Sequence, residues 1–275
     1  IGGGPAGLTV ARQLKLYGHE VTIYEKYHRL GGMMVQGNPH FRLPRSAVEA
    51  EIDQILQLGI GVELGCEIGK DRIGELTEQN DALIIAAGTL APNIPDIPGT
   101  ALPGVFHGLD FLRSVNEGKA DAISDSVAVI GGGFTAVDCA RTALRLGANS
   151  VTVYYRRTRN EMLITPGEYE EMIDEGTGVK FLVAPKAIIA KEGKAAGLRL
   201  VNTQMTDSER QHRNLSREME DSIVEFEAGA VLLATGQIPD TFWLPLELTA
   251  VANPVSPETD NRIGTKTSAE GIFLA

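Results

Sequence analysis

The sequence predicts an α/β protein built from two doubly wound parallel sheets. Two observations support this fold class. The chain of 275 residues is long enough for two domains, and one glycine-rich pattern occurs twice along it. Each copy is followed by an apolar strand that runs into a glycine. We therefore expect two similar domains, each with a small antiparallel meander or its equivalent.

The composition is that of an ordinary globular protein, with 43% hydrophobic and 22% charged residues. A formal net charge of −11 makes nucleic acid and anionic membrane surfaces unfavourable partners. We find neither an apolar run of the roughly 18 residues that a membrane span needs nor a basic, apolar leader. We therefore expect a cytoplasmic protein without a nucleic-acid or membrane partner.

The two copies share a strand, a glycine turn, a helix and a second strand. The first copy runs from Ile1 through Gly7 to a strand at Val21–Tyr24. In the second copy, Ser126–Ile130 is the first strand and Gly147 ends the helix, before a strand at Val151–Tyr154. This order is the opening unit of a doubly wound sheet.

Residues 81–89 and 229–237 are apolar strands that run into glycine, and we expect the chain to cross between domains there. The predicted domains are an FAD-type domain of residues 1–108 and 237–275, with a nicotinamide-type domain of residues 109–236 inserted into it.

Within the second copy, four segments have the composition of strands in an antiparallel meander. They are residues 179–183, 187–191, 198–204 and 222–227, with a turn at Glu192 and Gly193. Residues 206–221 are nearly all polar, so we expect an exposed loop there.

The first glycine turn has the spacing G-x-G-x-x-G at Gly2, Gly4 and Gly7. These positions allow a tight turn, close approach of backbone to a pyrophosphate, and close packing of helix on strand. Glycine turns also occur for purely structural reasons, but Glu25 ends the next strand, where a carboxylate can accept hydrogen bonds from ribose hydroxyls. The pattern indicates a dinucleotide without a 2′-phosphate, such as FAD.

The second turn differs in two ways. Ala136 replaces the third glycine, and Tyr155 stands where the first copy has Glu25. Arg156, Arg157 and Arg159 follow, and guanidinium groups at that strand end suit a 2′-phosphate. The alternative is a solvated basic turn, but the concentration of arginines beside a nucleotide motif in an acidic protein favours NADPH.

Other residue types give little indication of chemistry. Cys66 and Cys139 lie too far apart in the sequence for a redox dithiol, and two thiols are too few for a zinc site or an iron–sulfur cluster, so we expect two buried apolar side chains. The acidic residues at 168, 170, 171, 174 and 175 favour a solvated helix face over a metal site. We assign no chemistry to the histidines at 19, 28, 40, 107 and 212.

With these motifs in place, the chain resembles the small-subunit family of NADPH-dependent glutamate synthase, within the pyridine nucleotide-disulfide oxidoreductases. The family includes the flavin and nicotinamide domains of dihydropyrimidine dehydrogenase. The resemblance covers essentially the whole chain. Its most specific stretches are residues 30–32, 41–44, 131–145, 155–157 and 161–162.

The resemblance implies two sets of cofactor-binding residues. Those for FAD are Gly2, Gly4, Pro5, Ala6, Gly7, Glu25, Lys26, Leu30, Gly31, Gly32, Arg42, Leu43, Ala87, Gly88 and Thr89, with Arg42 and Leu43 near the flavin ring. Those for NADPH, or NADH, are Gly131, Gly133, Phe134, Thr135, Ala136, Arg156, Arg157, Ala234, Thr235 and Gly236, with the last three near the nicotinamide end.

The chain departs from the family at Phe134, where Asn or Asp is usual, and at Leu163, where proline is usual. Either change can alter nicotinamide binding. The family's last FAD-binding segment, a Gly-Asp pair with its helix, would follow Ala275. An iron–sulfur domain, if the protein has one, would precede Ile1.

The resemblance implies hydride transfer from NADPH to FAD and electron delivery to a partner subunit or domain. Placement of the two cofactors is the protein's contribution, so we name no catalytic side chain. A disulfide reductase is disfavoured because no paired cysteines follow the first motif. A flavin monooxygenase or another NADPH oxidase, and a catalytically silent nucleotide-binding scaffold or sensor, stay open as alternatives.

Overall fold

A computed structural model of the chain describes residues 1–120, 122–206, 215–240, 243–245 and 269–275. The chain divides into two compact units. The first unit comprises Ile1–Ala91 and Gln237–Ala275, and the second is Pro92–Gly236. The boundary predicted from the sequence is after residue 108, whereas the first segment of the first unit ends at Ala91. Strand Val105–His107 belongs to the second unit because it pairs with the strand at Ala230–Leu233.

In the first unit the helices are α1 (Pro5–Leu16), α2 (Met33–Gln36), α3 (Arg45–Leu56) and α4 (Lys70–Gln79). The strands are β1 (Thr22–Glu25), β2 (Gly61–Leu64), β3 (Leu83–Ile85), β4 (Ala91–Pro92, at the boundary), β13 (Gln237–Ile238) and β14 (Ile272–Leu274). Strands β1 and β2 pair in parallel, as do β3 and β14.

The first residues of the chain lie between these two strand pairs. The Gly2 N–H donates to the Tyr24 carbonyl (2.8 Å), and the Ala86 N–H donates to the Ile1 carbonyl (2.7 Å). The glycine turn therefore leaves the middle of the sheet, where a doubly wound fold places its ligand crevice.

The second unit contains one parallel sheet and one antiparallel sheet. Its helices are α5 (Gly108–Asn116), α6 (Phe134–Arg145) and α7 (Glu168–Asp174). Its strands are β5 (Val105–His107), β6 (Ser126–Ile130), β7 (Ser150–Tyr155), β8 (Gly178–Phe181), β9 (Val183–Lys191), β10 (Lys194–Thr206), β11 (Leu215–Glu227) and β12 (Ala230–Leu233).

The parallel sheet has the strand order β5-β12-β6-β7-β8. Strands β6 and β12 are buried on both faces, which explains their uninterrupted apolar sequences. Helix α6 packs its small residues, including Ala136, Cys139 and Ala140, into the core with no exposed surface. The predicted strand Ser126–Ile130 is confirmed, and Gly147, with a φ of 95°, follows the end of α6 as predicted.

The antiparallel sheet β9-β10-β11 is the predicted meander, with two corrections. The predicted strand at residues 179–183 begins as β8, which joins the parallel sheet beside β7 because its buried residues complete the core there. The C-terminal part of the predicted loop at 206–221 belongs to β11, where cross-strand pairing outweighs its polar composition. The remaining loop residues lie mainly outside the described ones.

The turn between β9 and β10 is at Glu192 and Gly193, as predicted. Both residues have positive φ, 53° and 75°, as in the two-residue turns that match strand twist. We expected a small meander or its equivalent in each domain. Among the described residues the three-stranded meander lies in the second unit, and in the first unit the pairs β1-β2 and β3-β14 are parallel.

A charged network joins α6 to α7. Arg141 is only 7% exposed and lies within 4.0 Å of the carboxylates of Glu168, Glu171 and Glu175. Glu175 also accepts from Arg145. Of the acidic residues predicted to form a solvated face, those at 170, 171 and 174 are exposed, while those at 168 and 175 are partly buried against Arg141.

We predict that Glu175→Gln lowers the free energy of unfolding by about 1 kcal/mol at neutral pH. Hydrogen bonds from Arg145 and Arg141 lower the pKa of Glu175 from 4.5 to about 2. Its stabilising contribution is complete above pH 4.5 and is lost as the pH falls toward 2. Urea unfolding of both proteins at several pH values between 7 and 2 should show the difference between them shrinking. Asp174→Asn, on the exposed side of α7, is the control and should leave stability nearly unchanged.

Candidate functional sites

The first glycine turn packs tightly at two of its three glycines. A Cβ on Gly2 would lie 2.3 Å from the Ala86 carbonyl oxygen, and one on Gly7 would lie 1.9 Å from the Gly2 oxygen. Around Gly4, the one atom within 4 Å of an added Cβ is the Gly32 Cα, at 3.7 Å. Gly2 and Gly7 thus allow close packing of backbone on backbone, while Gly4 leaves open space beside the turn at the start of α1.

A cavity of about 330 Å³ lies in front of this turn. It is lined by most of the residues predicted to bind FAD, namely Gly2, Gly4, Pro5, Ala6, Glu25, Lys26, Gly32, Ala87, Gly88 and Thr89. The cavity therefore brings together the glycine turn, the end of β1 and the segment after β3, which are distant in sequence and adjacent at one edge of the sheet.

The remaining predicted residues do not line this cavity. Leu30 and Gly31 brace the turn from behind, because Leu30 packs against Gly3 and the Gly31 N–H donates to the Gly3 carbonyl (2.8 Å). Gly7 packs beneath the turn. Leu43 lines a separate apolar groove, and the structure places Arg42 outside the cavity lining.

Several cavity residues were missed by sequence reasoning. They are Ile1, Tyr24, Tyr27, Met33, Gln36, Cys66, Glu67, Ile68, Ala86, Leu90, Asp240, Trp243 and Ala275. The signal for residues 66–68 is their position just after a parallel strand, since ligands bind at the carboxyl ends of such strands. We expected Cys66 to be buried, whereas it is half-buried and faces this cavity.

Glu25 is 5% exposed and already holds the turn in place. One carboxylate oxygen accepts from the Gly3 N–H (2.7 Å) and the other accepts from the Tyr27 N–H (2.9 Å). Each oxygen retains a second lone pair for a ligand hydroxyl. Glu25 is therefore both a structural anchor and the predicted ribose acceptor.

The second glycine turn repeats this geometry. A Cβ on Gly131 would lie 2.3 Å from the Ala234 carbonyl oxygen, as at Gly2, and no atom lies within 4 Å of a Cβ built on Gly133. The third position is Ala136, which has no exposed surface, so α6 accommodates a methyl group where α1 cannot. Tyr155 replaces Glu25 as the residue packed against the turn, with its ring 2.4 Å from a Cβ built on Gly132.

Residues 156–163, which we call the arginine strap, run from the end of β7 back to the glycine turn. Thr158 and Glu161 form a reciprocal capping box, and the Thr158 hydroxyl lowers the pKa of Glu161 by hydrogen bonding. The Tyr155 hydroxyl donates to the Glu161 carbonyl (2.7 Å). At its far end the Leu163 N–H donates to the Gly132 carbonyl (3.1 Å), so the strap is fixed at both ends.

The three arginines of the strap have different surroundings. Arg159 pairs with Glu170 and lies over the Tyr169 ring, 4.2 Å from its centroid. Arg156 is exposed, and its carbonyl accepts from the Thr203 hydroxyl (2.7 Å). Arg157 is 8% exposed, and its Nε has no hydrogen-bond partner. Its positive charge helps to lower the pKa of Glu161, but among the described residues no carboxylate forms an ion pair with it.

The two departures from the resembled family flank the second turn. Phe134 begins α6 and is 45% exposed, while Leu163 is 58% exposed and forms a parallel bridge with Gly133. Two apolar side chains thus border the turn where the resemblance implies more polar or rigid residues. Thr135, also predicted to bind the nicotinamide cofactor, follows in the first turn of α6.

The three residues predicted to lie near the nicotinamide, at the end of β12, form hydrogen bonds within the second unit. The Ala234 N–H donates to the Ile130 carbonyl (2.8 Å), and the Thr235 hydroxyl donates to the Asn93 carbonyl (2.6 Å). The Gly236 carbonyl accepts from the Asn93 N–H (3.1 Å). At the end of β5, burial lowers the pKa of His107, against the opposing influence of Asp110.

Among the described residues, no group of three or more histidine, cysteine and acidic side chains is arranged to hold a metal ion. Cys139 is buried, and burial raises the pKa of its thiol well above the usual value. A thiol in that state is a poor nucleophile. No helix in the described part of the chain has the length and apolarity needed to cross a membrane.

The fold and the two turns define a protein with twin dinucleotide-binding units. The whole chain, residues 1–275, matches the family described as pyridine nucleotide-disulphide oxidoreductase. The chain belongs to this family.

Two curated relatives are similar to this chain over most of its length. The beta subunit of NADP(+)-dependent formate dehydrogenase from Moorella thermoacetica is 36% identical over 248 residues, which cover 89% of this chain and 35% of the relative. The small chain of NADPH glutamate synthase from Azospirillum brasilense is 33% identical over 256 residues, covering 87% of this chain and 52% of that one. The resemblance predicted from the motifs is confirmed.

FprA from Mycobacterium tuberculosis, solved in complex with NADPH, matches 99% of this chain and 76% of its own with a TM-score of 0.80. At 18% identity this likeness shows the fold. The predicted α/β class with doubly wound, dinucleotide-binding units is confirmed. The chain spans about a third to a half of the length of the two curated relatives.

We predict that two alanine substitutions in the first glycine turn differ in their effect on the free energy of unfolding. Gly7→Ala should destabilise the protein by at least about 2 kcal/mol, because its Cβ would meet the Gly2 oxygen at 1.9 Å. Gly4→Ala should leave the unfolding midpoint nearly unchanged, because Gly4 has extended backbone and open space around it. Urea unfolding of both variants measures this difference, and equal stability would contradict the packing assigned to Gly7.

Proposed function

We propose that this chain is the FAD- and NADPH-binding part of an oxidoreductase that delivers electrons to a partner subunit or domain. FAD would occupy the first unit and NADPH the second. When bound, FAD supplies the chemistry of accepting a hydride and releasing electrons singly or in pairs. The single observation that carries the proposal is the buried side chain of Arg157, whose Nε has no hydrogen-bond partner, beside a second dinucleotide turn.

The first unit fits an FAD molecule in its backbone and in its charge. Gly4 and Gly88 both line the cavity, and no atom closer than 3.7 Å surrounds a Cβ built at either position, so a pyrophosphate can approach the main chain there. The start of α1 provides N–H groups and the positive end of the helix dipole. Glu25 retains lone pairs for ribose hydroxyls, and its carboxylate would repel a 2′-phosphate.

The second unit fits a nicotinamide dinucleotide that carries a 2′-phosphate. A buried guanidinium nitrogen without a hydrogen-bond partner, such as the Arg157 Nε, is costly, and an anion would offset that cost. Arg157 and Arg156 follow β7 directly, at the strand end where a doubly wound fold places the adenosine ribose. Arg159 is held by Glu170 and Tyr169, so we assign the 2′-phosphate to Arg156 and Arg157 alone.

The residues of this chain bind and orient, and none is proposed as a proton donor or acceptor. The two glycine turns would hold the pyrophosphates, and the strand ends would hold the riboses. Cys139 is buried with a raised pKa, and the sequence has no neighbouring cysteine for it, so a dithiol relay receives no support. This separates the proposal from disulfide reduction despite the family description.

An electron-accepting partner is part of the proposal. The Moorella relative is named as a beta subunit, and this chain spans 35% of its length. We therefore propose that electrons leave this chain for another subunit or domain, and that the protein works in the cytoplasm, as its composition led us to expect. The final acceptor is left open.

Anaerobic spectroscopy tests the function. Purified protein loaded with FAD should show flavin absorption near 450 nm that bleaches rapidly on addition of NADPH. Slow bleaching with NADH would agree with the 2′-phosphate assignment. Bound flavin that neither nucleotide bleaches would favour a silent nucleotide-binding scaffold, and failure to bind FAD would contradict the proposal. Hydrogen peroxide formed in air would show the extent of oxidase activity.

We predict that Arg157→Ala weakens NADPH binding about 10- to 100-fold while changing NADH binding about twofold or less, because the lost interactions are those of a charged hydrogen-bond donor with phosphate. Equilibrium titration with each nucleotide measures the two affinities. Arg159→Ala is the matched control and should leave NADPH affinity unchanged, because Glu170 and Tyr169 already hold that side chain. Equal loss of NADPH and NADH in Arg157→Ala would contradict the assignment.

A further inference from the structure

The cavity of the first unit contains the only tryptophan of the chain, Trp243. Its indole N–H donates to the Asp240 carbonyl (2.8 Å). The polar atom of the ring is therefore satisfied by a backbone carbonyl three residues earlier, and the ring is left with apolar faces. No motif in the sequence marks this residue.

Trp243 lies in the same hydrophobic cluster as the loop that follows β2. The cluster also includes Ile1, Tyr24, Cys66, Ile68 and Ala87, and all of these residues line the cavity together with Trp243. An apolar wall of the cavity is thus formed by residues from several distant parts of the sequence.

The position of this wall relative to Glu25 defines its place along a dinucleotide. Strand β2 pairs with β1 so that Leu64 is opposite Glu25, and the Cys66 N–H donates to the Glu25 carbonyl (2.9 Å). The loop at residues 66–68 is therefore beside the strand end that would hold the ribose. The group next to that ribose, on the side away from the pyrophosphate, is the adenine.

We infer that Trp243 forms an apolar wall against which the adenine of FAD packs. The inference rests on the proposed binding of FAD in the first unit. An aromatic face beside a purine contributes through stacking that does not require hydrogen bonds to the base. Trp243 thus contacts the adenine half of the cofactor in this inference.

The test compares ligands that represent the two halves of FAD. Protein freed of flavin is titrated calorimetrically with FAD, ADP and FMN, and the same is done for Trp243→Ala and Trp243→Phe. We expect Trp243→Ala to weaken FAD and ADP by about tenfold each and to leave FMN unchanged. Trp243→Phe keeps an aromatic face and should stay within about threefold of the parent for all three ligands.

Tryptophan emission gives a second readout that needs no variant. ADP does not absorb where tryptophan emits, so a change in emission on ADP binding reports a change close to the ring. We expect ADP to change the tryptophan emission of the parent protein. An equal volume of buffer without nucleotide should leave that emission constant. If Trp243→Ala fails to fold, this measurement and Trp243→Phe decide the question.

The outcomes separate this inference from the proposed function. If the parent binds FAD and ADP but ADP leaves the emission unchanged, or if Trp243→Ala folds and binds ADP as well as the parent does, the inference is overturned and FAD binding stands. Selective loss of FMN binding in Trp243→Ala would also overturn it. If the parent binds neither FAD nor ADP, the proposed function itself fails.

Discussion

The structure depends on one constraint that occurs in both units: the backbone at the first glycine of each turn lies against a carbonyl of the neighbouring strand. A Cβ on Gly2 or on Gly131 would lie 2.3 Å from the oxygen of Ala86 or Ala234. Both glycines have positive φ, so the constraint is conformational as well as steric. The close contact fixes the start of each helix over the sheet edge, and the proposed phosphate sites are placed by that start.

The two units then differ at positions where ligand choice can be set without disturbing this contact. Glu25 and Tyr155 occupy matching places beneath the turns, and each one supports the turn in a different way, by hydrogen bonds to Gly3 or by ring packing against Gly132. Because Tyr155 brings no negative charge, the following arginines can face an anion. Under the proposed function, one structural position would therefore serve both the stability of the turn and the selection of the ribose.

Much of the fold could be predicted from the sequence because glycine spacing and apolar strands are local signals. The strand Ser126–Ile130, the end of α6 near Gly147 and the turn at Glu192 and Gly193 are of this kind. Residues 179–181 could not be placed correctly, because pairing with β7 is a long-range choice. Trp243 was missed for the same reason: its place in the cavity depends on tertiary packing and on no motif.

The contrast between two buried arginines connects stability with function. Arg141 and Arg157 are 7% and 8% exposed. The fold surrounds Arg141 with three carboxylates, as expected where a buried charge must be compensated. Glu161 near Arg157 accepts its hydrogen bonds from Thr158, and the Arg157 charge helps to lower the pKa of Glu161 from a distance longer than an ion pair. A chain rich in acidic residues could have paired both arginines. Under the proposed function, the unsatisfied Nε of Arg157 beside a glycine turn costs stability, and an anionic ligand would offset that cost.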